Sequence, residues 1–208
     1  MDVDKFMFRS PATCLIAGPT GCGKTFLLLN ILKHVDIFEK PAKKIIWCYN
    51  VYQEKFNEFK NVIDFHEGIY DIKSLQGIPG HKIIVLDDLM HKLNEDIAET
   101  FTVYSHHMNI SVFFITQNIF HKNRYMRDVS LNTQYLILFG QRRDMSQVNI
   151  LSTQMFPTQR KEFLKIYKDI TSIPHGYLLC DLHPRNKFRV LLRTNILPNE
   201  IETVYVAE

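Results

Sequence analysis

The chain has 208 residues, a length that suits one domain. At 46% hydrophobic, 12% aromatic and 23% charged it can bury a large core, and it is too apolar for a disordered tail and without repeats or low-complexity tracts. Twenty-five basic against 22 acidic side chains leave a formal charge of +3, too mild to signal a nucleic-acid partner by itself.

In chain order, a lead-in over 1–12 is followed by a strand at Thr13–Ala17, a glycine-rich loop, and a helix over Lys24–Val35 that is apolar nearly all round and therefore buried. Strands at Lys44–Tyr49 and Ile83–Leu86 come next. Asn94–Met108 reads as a helix, with Asn94 as its cap, Glu95 and Asp96 in the first turn, and Leu93, Ile97, Phe101 and Tyr104 at helical spacing. Further strands are expected at Ser111–Thr116 and Gln134–Phe139, a helix at Gln159–Ile170, and strands at Tyr177–Cys180 and Phe188–Leu192. The last two, joined across His183–Lys187, form a terminal hairpin, and 194–208 is an acidic tail. Most of the strand runs are continuous rather than alternating, as in strands covered on both faces. Strands alternating with helices define an α/β chain with a mostly parallel sheet, and with no linker composition the whole of 1–208 is one domain.

No apolar run approaches the ~20 residues of a membrane span. The first residues lack the basic-then-apolar order of a secretory signal. Cys14, Cys22, Cys48 and Cys180 form no close pair, so neither a disulfide framework nor a zinc site is expected, and a reducing compartment is. The adjacent His106 and His107 lack the i, i+4 spacing of two ligands on one helix face.

Gly18, Pro19, Thr20, Gly21, Cys22, Gly23, Lys24 and Thr25 match GxxxxGK[ST] in full, a pattern that arises by chance in roughly one chain of this size per hundred. A strand leads in and a helix leads out, as the chemistry requires. Glycines let the backbone curl its N–H groups around phosphates, and the helix N-terminus adds partial positive charge. Lys24 is expected to reach the β- and γ-phosphates and Thr25 to hold Mg²⁺ by its hydroxyl. The run Lys82–Leu89 is an apolar strand that ends in Asp87 and Asp88, where a parallel sheet opens its ligand crevice. Asp87 fits the acid that holds Mg²⁺ through water, and Asp88 the group that orients or deprotonates a hydrolytic water. Gln117, at the end of the next strand, is the candidate for sensing the γ-phosphate. After Gln134–Phe139 comes Gly140-Gln-Arg-Arg-Asp144, where Arg143 first and Arg142 second are candidates for an arginine finger supplied to a neighbouring subunit.

The mild +3 hides a gradient. Residues 1–119 carry 12 basic and 14 acidic side chains, residues 120–193 carry 13 and 5, and 194–208 carry three acids and no base. The basic third includes Phe120–Arg127, where Lys122, Arg124 and Arg127 interleave with aromatics as in a loop that tracks DNA phosphates.

The order GPTGCGKT, LDDLM, FFITQN and LNTQYLILFGQRRD resembles the FtsK–HerA superfamily, in particular the viral genome-packaging ATPases of poxviruses, virophages and Maverick/Polinton-type elements. The likeness runs from about Pro11 to Phe156. It implies a RecA-like P-loop NTPase fold and ATP hydrolysis with Mg²⁺. It also implies a homo-oligomeric ring, expected to be a hexamer, that threads double-stranded DNA into a capsid with a capsid or portal component as partner and no membrane. A virus-encoded or element-encoded intracellular protein is implied, in the host nucleus, a cytoplasmic virus factory or the virion. The segment ITQ supports Gln117 and NTQYLILFGQRRD supports Arg143. Asp88 departs from the Asp-Glu ending of cellular members. Two other readings stand beside this one: a small-molecule kinase with Arg142 and Arg143 in a lid, and an ATP-dependent assembly scaffold with little turnover.

Overall fold

Continuous apolar runs become strands covered on both faces. The computed structural model describes residues 4–120, 124–186 and 191–206. Among them the strands are β1 (Thr13–Ala17), β2 (Lys44–Tyr49), β3 (Asp64–Glu67), β4 (Lys82–Asp87), β5 (Ile110–Thr116), β6 (Tyr135–Phe139), β7 (Tyr177–Asp181), β8 (Leu191–Thr194) and β9 (Thr203–Val206). They form one sheet in the order β3-β2-β4-β5-β1-β6-β7-β8-β9. The first six of that order run parallel, and β7, β8 and β9 continue antiparallel. The C-terminal hairpin expected from sequence is therefore present as β7–β8. Its second strand is Leu191–Thr194, and the expected start at Phe188 lies outside the described residues.

Every residue of β1, β4, β5, β6 and β7 is buried. Alternate side chains point to opposite faces of a strand, so each feeds two cores. Leu15 and Ala17 pack with Ile97, Phe101, Val148, Phe163 and Tyr167 on one face. Cys14 and Ile16 pack on the other with Leu28, Ile31, Phe8 and Phe56. The helices follow the same division. α1 (Lys24–Lys33) covers the second face, while α4 (Arg124–Leu131), α5 (Ser146–Met155) and α6 (Arg160–Thr171) cover the first.

Four elements carry no clear sequence signal. β3 is short, polar and at the sheet edge, with no buried residue. β9 lies in what reads as an acidic tail, and pairs with β8 from Thr203 to Val206. α5 has a weak apolar stripe, and α4 falls where a basic loop is expected, so Arg127 stands exposed on a helix. Lys122 and the side chain of Arg124 lie outside the described residues.

The helix expected over Asn94–Met108 forms, with an interruption. Asn94 caps it, its Oδ1 accepting from Ile97 N at 3.1 Å. Then α2 (Glu95–Glu99) passes into a π-helical turn over Thr100–Tyr104 and resumes as α3 (Ser105–His107). Thr100 and Thr102 donate their hydroxyls to the carbonyls of Asp96 and Ala98, at 2.7 and 3.1 Å. Such back-bonding competes with the helical ladder and bends it.

Candidate nucleotide site

Between the phosphate-loop strand β1 and the acid-bearing strand β4 the sheet inserts β5. The register aligns Ala17 with Thr116 and Asp87 with Ile115, so three strand ends open at one level. The phosphate loop, Asp87–Asp88 and Gln117 thereby meet in one crevice, beside the point where chain order reverses across β1. A cavity of about 330 Å³ there is lined by Lys24, Thr25, Asp87, Asp88 and Gln117 together with loop residues Thr20, Gly21 and Gly23.

The loop is glycine-rich for two separate reasons. At Gly18 an added Cβ would meet the Phe139 Cβ at 2.6 Å, so β6 leaves no room for a side chain. Gly23, at φ +109°, adopts a backbone that side-chain-bearing residues rarely take, immediately before α1. Lys24 is folded back over its own loop, donating to the carbonyls of Gly18 and Pro19 at 2.7 and 2.8 Å. Burial pulls its ammonium below the ordinary lysine pKa, against the pull of nearby Cys22, Asp87 and Asp88. A triphosphate would offer this cation charged partners in place of neutral carbonyls.

Asp87 is 5% exposed, and Trp47 Nε1 donates to its Oδ2 at 3.3 Å. Burial lifts its carboxyl to about 6, with the Trp47 hydrogen bond opposing and the Asp88 charge adding to the rise. Asp88 is exposed, sits at φ +54°, and accepts from Gln117 Nε2 at 3.5 Å. A buried carboxylate, a second acid, a threonine hydroxyl and a lysine around one cavity fit the donor set of a Mg²⁺–nucleotide, with Thr25 and Asp87 as the metal-facing pair.

Gln53 and Lys55 also line this cavity, and Lys55 pulls the Asp87 pKa down. Neither carries a motif. Their one sequence signal is position, in the segment after β2, the neighbour of β4, at the same end of the sheet. Trp47 is likewise found only through the pairing of β2 with β4.

Arg142 and Arg143 stand apart from that cavity. They line a second one, about 470 Å³, on the other side of the phosphate loop, with Pro19, Phe139, Pro174 and His175. Thr20 and Gly21 border both. Among the described residues neither arginine forms an ion pair, and Asp144 instead accepts from Ser146 N at 2.8 Å. Tyr167 fixes the arginine loop, donating to Phe139 O at 2.8 Å and accepting from Gln141 N at 2.9 Å. On the facing wall His175 lies 3.0 Å from Cys22 O through Nδ1.

A RecA-like sheet with a phosphate loop, a paired-acid strand end and a polar strand between them defines a P-loop NTPase fold. Its fold is similar to that of the genome packaging NTPase B204 from Sulfolobus turreted icosahedral virus 2. The complex of that protein with ATP-gammaS superposes with a TM-score of 0.56 at 13% identity, over 93% of this chain and 96% of that one. The complex with AMPPCP gives 0.58 at 12% identity, over 95% and 98%. The cytoplasmic domain of the Thermomonospora curvata Type VII secretion ATPase EccC gives 0.52 at 13%, over 94% of this chain and 25% of that one. At such identities the likeness is one of fold. No family model and no curated protein matches the sequence.

Proposed function

We propose that this chain is an ATP-driven DNA translocase that packages viral or viral-like double-stranded DNA into a capsid. The observation that carries the reading is the convergence of Lys24, Thr25, Asp87, Asp88 and Gln117 on one cavity at three neighbouring strand ends. The similarity of the whole fold to a packaging NTPase supports the same reading.

ATP would lie with its phosphates against Gly18–Thr25 and its nucleoside in the cavity bordered by Arg142, Arg143 and His175. Bound Mg²⁺ supplies charge neutralisation on the phosphates, held by Thr25 and Asp87. Lys24 exchanges its two carbonyl partners for phosphate oxygens. Asp88 accepts a proton from, or orients, the attacking water, and Gln117 ties that carboxylate to the end of β5. The cavity beside its own phosphate loop supports a contact of Arg143 with its own nucleotide. The contact expected in trans needs a neighbouring copy of a homo-oligomeric ring, and mixing wild type with Arg143→Ala separates the two. Linear loss of activity with variant fraction assigns the arginine to its own site, and steeper loss assigns it to the neighbour's.

DNA would be gripped through phosphates, without reading bases. The basic excess of residues 120–193 is divided in space. Arg193 is buried among acids and Arg185 pairs with Glu39. What remains exposed includes Arg127 on α4 and Arg160, Lys161, Lys165 and Lys168 on α6, all on helices of one sheet face. We assign DNA contact to that face.

Steady-state hydrolysis tests the reading. Mg²⁺–ATP turnover without any acceptor, raised by double-stranded DNA and less so as salt increases, is expected, because phosphate contacts release counterions. Turnover that needs a nucleoside monophosphate acceptor and ignores DNA would establish the kinase instead.

A further inference from the structure

A larger cavity, about 700 Å³, lies at the opposite end of the sheet. Lys82, the first residue of β4, and Asn109, just before β5, line it, whereas the last residues of those strands line the phosphate cavity. Five strand steps put roughly 17 Å between Lys82 and Asp87. The two cavities share no residue.

Its floor is apolar. Leu75 is buried, and Ile78, Tyr104 and Met108 are half-buried. Lys82, at 3% exposure, and the half-buried Asn109 are the polar exceptions. Lys82 Nζ donates to Ile78 O at 2.6 Å, and among the described residues no carboxylate pairs with it. An ammonium has three donors, and Ile78 O accepts one of them.

The rim adds to this. Val103 is 44% exposed although apolar, and it enters the cavity beside Tyr104, both from the π-helical turn. Turns of this kind recur at functional sites. Lys73 and His107 also line the rim, and the acids next to it are already engaged, Glu99 accepting from the Tyr104 hydroxyl at 2.8 Å and Asp96 from Lys73. Lys73 is itself held by Asp96 at 3.1 Å, so Lys82 is the cation left for a ligand. A buried cation under an apolar floor calls for a carboxylate attached to an apolar body. A DNA backbone matches the charge and not the floor, and it could not reach a cation set below the rim.

We propose that this cavity docks an acidic peptide segment of a protein partner, with a carboxylate on Lys82 and an adjacent apolar or aromatic side chain over Val103, Tyr104 and Met108. The cavity shares no lining residue with the nucleotide site and includes none of the exposed cations of α4 and α6, although it opens on the sheet face those helices cover, and the proposal stands without that function. Selection of a random displayed-peptide library on the full chain tests it, with Val103→Asp as the counter-selected protein. That change sits on the exposed rim and leaves the core intact, whereas Lys82→Met is the second variant and removes the charge, together with its hydrogen bond to Ile78 O, at nearly constant side-chain length. Enriched peptides are expected to carry Asp or Glu next to Leu, Phe or Tyr, and to bind both variants at least about tenfold more weakly. Enrichment of basic or uncharged peptides, equal binding to both variants, no enrichment over the counter-selected protein, or displacement of the peptides by double-stranded DNA would each overturn it.

Discussion

Asp88 occupies the left-handed backbone region at φ +54°, where short polar residues are the least strained of those with side chains. Aspartate at this position meets that backbone demand and still presents a carboxylate to the cavity, which a longer glutamate does less readily. Asparagine tolerates the same conformation and keeps the Gln117 contact. Asp88→Asn is therefore expected to fold and bind nucleotide normally and to lose about 10²–10⁴ of the hydrolysis rate, the usual range for a general base. Nucleotide affinity and single-turnover rate, measured together, check this. Loss of both would mean that Asp88 is structural.

At Asp87 the chemistry runs against stability. The folded carboxyl titrates at about 6, above its ordinary 3.8. Between those values the unfolded chain has released a proton that the folded chain retains, so stability falls as pH rises through the window and stays lower above it. The shift corresponds to about 2–3 kcal/mol. Asp87→Asn can keep the Trp47 hydrogen bond and removes the buried charge. Without nucleotide or Mg²⁺ it is expected to be about 2 kcal/mol more stable than wild type at pH 8 in urea unfolding, with no gain at pH 4. It is also expected to lose Mg²⁺-dependent nucleotide binding. A variant less stable than wild type at pH 8 would contradict the burial cost. The residues of this site that sequence reaches are those with a motif, Gly18–Thr25, Asp87, Asp88 and Gln117. Trp47, Gln53, Lys55 and His175 escape it, because their roles depend on which strand ends and loops are neighbours in space.

Among the elements, strand bounds agree with the apolar runs to within a residue or two for β1, β2, β4, β5, β6 and β7, because burial on both faces demands continuous hydrophobicity. β3 and β9 are edge strands, for which one side lacks a partner and composition relaxes. The tail is no appendage for a further reason. Glu202, next to β9, pairs with the buried Arg193 of β8 and accepts from Phe6 N at 3.0 Å, while Arg193 Nη1 also donates to Asp4 O at 3.2 Å. Asp181 lies 4.0 Å away from Arg193 as a weaker counter-charge. The N-terminal segment is thus tied to the last two strands through one ionic cluster. Breaking a buried pair by removing one partner strands the other charge. Glu202→Ala is expected to lower unfolding free energy by about 3 kcal/mol. A change under roughly 0.5 kcal/mol, the range of ordinary surface substitutions, would return 194–208 to the status of a loose tail.

For the molecule as a whole, the net charge is the least informative of the opening quantities. Among the described residues the cations of 120–193 separate into buried or paired ones, Arg142 and Arg143 beside the phosphate loop, and an exposed set on α4 and α6. Sequence counts the charges and the packing decides which of them are free to meet a polyanion. The sheet arranges three surfaces. The strand ends carry the nucleotide site, the face covered by α4 and α6 carries the exposed cations, and the opposite strand ends carry the cavity around Lys82. A nucleotide site and a basic face on one domain are what a translocase requires, since ATP turnover must be felt by groups that hold DNA. The most direct measurement is displacement of a third strand from a DNA triplex, followed with ATP and Mg²⁺ in wild type and in Lys24→Ala. The account predicts displacement by the wild type that requires hydrolysable ATP and is absent in the variant. ATP turnover by the wild type with the triplex left in place would contradict it.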